Sequence, residues 1–314
     1  RTEVLIATPA VDDDFTHGHV RIRLVPRRRL NSQGDYFSRF SQVFYFGTIG
    51  VVALKIALLA RNTKRCFIAT DGGVFSTGRR VVWRRLLARL FYRFYDRFYT
   101  YTEFQKNVLC AVSKRYNGRI FPILPILESR LRPPVSRNPH PTLLYMGHFS
   151  RFKGVDTVMT LYETLASEFP ELRLTLASNG LVYDDNLQSD IEAFVKRRHP
   201  RVVLKGKVNP FEELAVSHIL VYPLRQQAGT FAFPLSLYES LTVGTPFLSS
   251  NIAGVNEFFD DYFLADPEDV GSFVSKAARI LKYPDEAQAA VAANLDKLKV
   301  LLRIDEDSRY RIPN

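Results

Sequence analysis

The sequence is poor in cysteine, with two residues in 314, Cys66 and Cys110, far apart in the chain. That excludes a cysteine zinc cluster, a thioredoxin-type pair and a small disulfide scaffold, and it fits a reducing compartment. There is no repeat of solenoid period and no low-complexity tract. Zinc-finger spacing and an RNP-like aromatic strand are both missing, so a nucleic-acid-binding α/β protein has only charge in its favour. No signal peptide is visible, and the first residue is Arg1 rather than Met, so a preceding segment is expected. One stretch alone approaches a membrane span. Val43–Ala60 holds 18 residues with a single charge, Lys55, and carries Gly47 and Gly50 inside it. It is at the short limit for crossing a bilayer, and a buried helix of an α/β domain is the better expectation.

What is present is enough for two domains or one large α/β unit: 46 % hydrophobic and 24 % charged residues. The net charge of +11 is divided unevenly. Residues 1–137 hold 25 Lys and Arg against 9 Asp and Glu, a net of +16, and residues 138–314 hold 18 against 23, a net of −5. Such asymmetry directs the first half toward something anionic. The segment Arg84–Tyr99 sharpens this. Arg85, Arg89, Arg93 and Arg97 recur every four residues, and Leu87, Leu90, Phe91, Phe94 and Phe98 fall at helical spacing on another side. A basic, aromatic, amphipathic helix suits a lipid interface, and equally a domain helix with one core side and one solvated side. The expected partner is therefore an anionic membrane surface met by the basic N-terminal half, and no nucleic acid.

Along the chain, Glu3–Ala10 and His19–Pro26 read as strands, Tyr36–Arg61 as mostly helix, and Arg65–Gly73 as a strand running into a glycine turn. Residues 79–115 carry one or two helices, and Arg119–Ile126 a short strand. Leu131–Pro141 holds four prolines and no periodicity, so it reads as the linker. After it, strands are expected at Thr142–Phe149, Leu172–Ser178, Val202–Val208, Ile219–Leu224 and Thr245–Ser250. Helices are expected at Val155–Phe169, Leu187–His199, Pro210–Ser217, Leu235–Val243, Pro267–Tyr283 and Ala287–Leu302. Strands alternating with helices of this length need crossover connections, hence a mostly parallel sheet covered on both faces. The fold class is α/β, with domains at 1–135 and 136–314. Ligands of such sheets sit beyond the strands' carboxyl ends, and with two such domains the cleft between them is the default site.

Three motifs carry chemistry. Gly147-His148-Phe149-Ser150-Arg151-Phe152-Lys153-Gly154 joins a strand to a helix. Glycines at both ends bring backbone N–H groups toward an anion, and Arg151 and Lys153 add positive charge suited to a diphosphate. The plainer alternative is a tight turn with exposed basic residues. Ser178-Asn179-Gly180 closes the next strand and is weak by itself. Phe233–Pro246 (FPLSLYESLTVGTP) places Pro234 at a helix start and Gly244 at its end. Glu239 then lies more than one turn in, where it either faces solvent or accepts hydrogen bonds from ribose hydroxyls.

GHFSRFKG, SNG, VVLKGKV and FPLSLYESLTVGTPFLSSNIAGVNE, in this order and spacing, resemble the C-terminal domain of GT-B glycosyltransferases of the GT4 type over about residues 140–280. Arg84–Tyr99 with the following TYTEFQKNVL resembles the end of that family's N-terminal domain, more weakly. The resemblance implies two Rossmann-like domains with parallel sheets facing across a cleft. It also implies a UDP- or GDP-sugar donor bound mainly by the C-terminal domain, an acceptor bound mainly by the N-terminal one, and no cofactor or metal needed for donor binding. Lys153 matches the lysine that grips the donor diphosphate, with Gly147, His148 and Arg151 around it. Glu239 matches the second glutamate of E-x7-E, which holds the ribose. Leu235 and Ser236 match the helix start that receives phosphate, and Asn179 and Gly180 the loop beside the nucleotide.

Two positions depart from the pattern. His148 stands where the family often has arginine, a cation that Arg151 would replace. Phe231 stands at the first glutamate of E-x7-E, which leaves the sugar and the retaining or inverting course open. For catalysis, Lys153 would stabilise the departing phosphate. Asp71, at a strand's carboxyl end in ATDGG, is the candidate base for an inverting reaction, or simply a turn-forming aspartate. His17 and His19 near Asp12–Asp14 raise a metal only faintly, and none is expected. The expected function is glycosyl transfer to a lipid-linked or membrane-proximal acceptor in glycan or polysaccharide assembly, in the cytoplasm at the inner face of a membrane. The alternative is a non-catalytic relative that binds or scaffolds.

Overall fold

The computed structural model describes residues 2–8, 13–17, 20–26, 37, 39–47, 51–69, 89–91, 93–116, 118–122, 137–178, 185–225 and 234–301. Their contacts divide into two units, one built mainly from the chain up to Pro122 and one from the chain after it together with Tyr101–Gln105. The domain boundary expected at 135/136 falls in residues 123–136, outside those described.

The first unit holds two sheets. Strand β1 (Thr2–Thr8) pairs parallel with β3 (Val20–Pro26), and β2 (Asp13–His17) pairs antiparallel with β3. The second sheet is all parallel, in the order β4 (Gln42–Gly47), β5 (Lys64–Ala69), β6 (Arg97–Thr100), β7 (Ile120–Pro122). Helix α1 (Val51–Leu59) links β4 to β5, and α2 (Glu103–Val112) follows β6. Phe67, Phe91, Tyr95, Phe98 and Tyr116 are buried together with Ala53 and Ala57 of α1. The Tyr95 hydroxyl donates to the Ala53 carbonyl at 2.7 Å.

Two expectations fail here. Tyr36–Arg61 is not mostly helix, because Gln42–Gly47 is a strand in register with Lys64–Ala69. Its aromatic and β-branched run fits a pleated sheet better than a helix. The apolar stretch Val43–Ala60 is thus a strand and a helix rather than one element, and among the described residues no helix is long and apolar enough to cross a membrane. Nor do the arginines of Arg84–Tyr99 share one helical face. Arg93 lies in a turn and Arg97 opens β6, where Phe98 and Tyr99 enter the sheet and are buried. Residues 84–88 lie outside the described residues.

The second unit is one six-stranded parallel sheet ordered β10-β9-β8-β11-β12-β13. Its strands are β8 (Thr142–Met146), β9 (Arg173–Ala177), β10 (Val202–Lys205), β11 (Ile219–Tyr222), β12 (Phe247–Ser250) and β13 (Leu264–Ala265). Side chains alternate between two buried faces. Leu143, Tyr145, Ile219 and Val221 point into one core with α3 (Val155–Glu168), α4 (Asp185–Arg198) and α7 (Val270–Lys282). Leu144, Met146, Leu220 and Tyr222 point into the other, with α5 (Pro210–Val216), α6 (Leu235–Thr242) and α8 (Pro284–Leu301). Burial on both faces is why these strands read as continuous apolar runs. Asn209 caps α5 by accepting from the Phe211 N–H at 3.2 Å, and Pro210 occupies the first turn.

Tyr95→Phe removes a buried hydrogen bond and no volume, so it should cost about 1 kcal/mol in a denaturant titration. An unchanged midpoint would show that the Tyr95–Ala53 bond is not what joins α1 to this core.

Candidate functional site

Counted from β8, the second sheet runs 3-2-1-4-5-6, so the connection after β8 leaves toward one side and the connection after β11 toward the other. The carboxyl ends of these two neighbours form the switch point at which α/β sheets bind ligands. The described parts of the predicted motifs lie there. Gly147–Gly154 leaves β8 and enters α3, Pro223–Arg225 leaves β11, and α6 begins at the same carboxyl edge after Pro234.

The loop is fastened to three strands. The Gly147 N–H donates to the Ala177 carbonyl at the end of β9, at 3.0 Å, and the Arg225 N–H beyond β11 donates to the Phe152 carbonyl at 3.0 Å. Gly154 has φ 73°, and a Cβ there would lie 2.1 Å from the Pro223 carbonyl oxygen. Only glycine meets both demands. A short 3-10 turn, Arg151–Lys153, precedes Gly154 and aims Lys153 inward.

Lys153 is 7 % exposed, and its Nζ donates to the Tyr222 hydroxyl at 2.8 Å. The ammonium also lies 5.3 Å from the centre of the Tyr222 ring. Among the described residues no carboxylate pairs with it. Burial pulls its pKa down to about 8. A buried ammonium with one neutral partner has donors to spare for an anion. Tyr222 belongs to the core that α6 joins through Leu237, Tyr238 and Leu241, so Lys153 reaches from the loop before α3 to the face that α6 covers. On α6, Glu239 is half-buried, its carboxylate has no partner among the described residues, and burial pushes its pKa up. The backbone N–H groups of Leu235 and Ser236 likewise find no acceptor among them, and the first turn carries no acid.

The remaining expected residues divide. His148 sits in the loop, where its carbonyl accepts from the Tyr145 hydroxyl at 2.8 Å. Arg151 turns away from Lys153 toward carboxylates, Asp156 at 4.0 Å and Asp190 at 3.7 Å. Asn179, Gly180, Asp71 and Phe231 lie outside the described residues, as does His19, and nothing is described of the His17 side chain. The sequence reading missed Tyr222 and Arg225. Arg225 bonds Asp156 at 2.8 Å and Thr157 at 3.3 Å, so one carboxylate holds two arginines beside the loop. The signal was a tyrosine closing an otherwise aliphatic strand, ILVY, with an arginine three residues on. The hydroxyls of Ser150, Ser178 and Ser250 are buried without partners at the same carboxyl edge. Together the edge offers a cation, open N–H groups, hydroxyls and one carboxylate, a set suited to a diphosphate joined to a polyol. Among the described residues no cluster of His, Cys, Asp and Glu is arranged to hold a metal ion.

Residues 140–283 match the family profile of the glycosyl transferases group 1. That stretch, most of the second unit, is what resembles the group 1 glycosyltransferases. Comparison with curated proteins gives no match. Among solved structures, the chain is similar to Anabaena Alr3699/HepE in complex with UDP and glucose, with a TM-score of 0.75 at 11 % identity over 91 % of this chain and 84 % of that one. It is also similar to the α,α-trehalose 6-phosphate synthase of Burkholderia multivorans, with a TM-score of 0.68 at 13 % identity over 96 % and 87 %. The pneumococcal O-GlcNAc transferase GtfA in complex with UDP and GlcNAc gives 0.65 at 15 % over 88 % and 58 %. At these identities the likeness establishes the fold, which is GT-B. The expected fold is borne out, and residues 140–283 carry the likeness to the group 1 glycosyltransferases.

Gly154→Ala should destabilise the protein by more than about 1 kcal/mol, from the αL penalty and the clash with Pro223. Unchanged stability in urea would show that the loop does not rest on β11. Lys153→Met should instead stabilise the unliganded protein at neutral pH by about 1 kcal/mol, because it removes a charge that burial disfavours. Between about pH 8 and the ordinary lysine value the unfolded chain binds a proton that the folded protein does not, so wild-type stability gains with pH and the difference should shrink there. A wild type that melts above Lys153→Met at neutral pH would contradict this.

Proposed function

We propose that the chain transfers a glycosyl group from a nucleotide-sugar donor, UDP- or GDP-linked, and that the carboxyl edge of the second unit binds the donor. The observation that carries this is Lys153, an ammonium buried at the sheet's switch point with a tyrosine hydroxyl as its partner and no carboxylate. The crystallisation of HepE with UDP and glucose on the same fold supports it. In this reading Lys153 pairs with the diphosphate, and the Leu235 and Ser236 N–H groups receive one of its phosphates. Glu239 accepts from the ribose hydroxyls, and Gly147, His148, Asn179 and Gly180 line the nucleotide.

As the glycosidic bond breaks, negative charge grows on the leaving diphosphate, and an ammonium already in place stabilises it without reorganisation. Arg151, drawn off by Asp156 and Asp190, contributes less than the sequence suggested. Asp71 remains the proposed base for the acceptor hydroxyl, in an acceptor-binding domain spanning about residues 1–135. A lipid-linked or membrane-proximal acceptor rests on the net charge of +16 over residues 1–137.

Titration calorimetry with UDP and GDP tests the donor site. Lys153→Ala should weaken the preferred nucleotide about 10- to 100-fold and Glu239→Ala about tenfold. Unchanged affinity in both variants would remove the site. Only protonated Lys153 pairs with phosphate, so wild-type affinity should fall by up to about tenfold per pH unit above about 8. Lys153→Ala should lose that dependence, and a pH profile shared with wild type would assign it to another group.

A further inference from the structure

The second unit carries a net negative charge overall, yet one of its margins is strongly basic. From Lys196 to Lys207 the chain reads KRRHPRVVLKGK, six cations and no acid. These residues form the last turn of α4, the turn after it, strand β10 and the two residues beyond it; β10 has one neighbour in the sheet, β9, among the described strands. Two of the cations are neutralised, Arg198 by Glu163 at 3.1 Å and Lys205 by Glu213 at 2.7 Å. The other four, Lys196, Arg197, Arg201 and Lys207, are exposed and make no ion pair among the described residues. Between them the surface is apolar. Leu204 is 40 % exposed and Val203 38 %, and Leu204 borders a shallow groove with Val195 and His199, at which Glu192 is the acid.

We propose that this margin of the second unit is a docking surface for an anionic phospholipid bilayer. Four unneutralised cations around exposed aliphatic side chains match a headgroup layer over an apolar interior. The cations meet the phosphates, and Leu204, beside Val195 on the face that α4 covers, leaves water at the boundary. A soluble polyanion would satisfy the cations and leave the aliphatic groove in water, which is why the bilayer is the better occupant. The edge strand needs some protection in any case, since an unpaired row of backbone groups invites pairing with another chain, and lysines are a common guard. Guarding an edge does not call for an exposed leucine beside the lysines, whereas docking on lipid does.

The test is sedimentation of the full chain with phosphatidylcholine vesicles and with vesicles in which a third of the lipid is phosphatidylglycerol. Wild type is expected to partition onto the anionic vesicles and to stay free of the neutral ones. A quadruple variant, Lys196→Glu, Arg197→Glu, Arg201→Glu and Lys207→Glu, should lose at least tenfold in partitioning, and Leu204→Ser alone a smaller share. Both variants should keep the wild-type midpoint in urea. That control shows they are folded, and it is read without nucleotide, so failure here stays distinct from failure of the donor-site reading. Wild-type partitioning by the quadruple variant would place lipid binding elsewhere and leave the cations as edge guards. Binding to polyphosphate with none to anionic vesicles would equally overturn the proposal.

Discussion

The contact of Gly154 with Pro223 is the constraint on which the site depends. One residue comes from the turn after the first strand of the second unit, the other from the end of the fourth, and the backbones meet so closely that no side chain fits between them. With that contact made, the 3-10 turn before Gly154 has one place to go, and Lys153 ends against Tyr222. Burial then does the electrical work. It strips water from the ammonium, lowers its pKa, and leaves its donors short of partners. Glu239 is in the mirror condition, a carboxylate held partly out of water with nothing described to answer it. Both are costs to the folded chain that a bound molecule of complementary charge and hydroxyl pattern would relieve, a common sign of a binding site.

Much of the second unit was legible because several signals agreed at each element. Leu143–Met146 and Ile219–Tyr222 are apolar at every position, as strands covered on both faces must be. Pro210 and Pro234 mark helix starts, and Gly244, with φ 78°, marks a helix end. The first unit was harder because its signals conflict. Phe94 and Phe98, with Arg93 and Arg97, have the spacing of a helix, but Phe98 and Tyr99 are also strand formers. The neighbours at Cys66–Ile68 and Ile120–Phe121 decide the matter, and they lie far off in the chain. Val43–Phe46 is the same case, with its partner strand some twenty residues on. Short apolar runs of this kind are settled by tertiary pairing.

The candidate site shows the same division. Lys153 was found from its spacing within GHFSRFKG, because the chemical meaning of a glycine-bounded strand-to-helix turn is local to its own residues. Tyr222 was not, since nothing local links residues 153 and 222, and only the strand order makes them neighbours. Arg151 was given a phosphate to bind from its charge alone, and its place was decided by Asp156 one turn further and Asp190 on another helix. Sequence supplies the charged groups, and the competition among them is resolved in three dimensions.

Strands β8 and β11 lie side by side although more than seventy residues separate their starts. The intervening chain holds β9, β10 and three helices, all of which must be made before β11 can dock. The lysine's surroundings are therefore a late product of folding. A ribosome that has delivered the GHFSRFKG turn has made Tyr145, which holds the His148 carbonyl, but neither β9 nor β11, and until the segment ending at Arg225 arrives that turn lacks the wall on which Gly154 rests. Long-range closure of this kind slows folding, and it exposes the half-built edge to solvent for as long as synthesis of the missing strand takes.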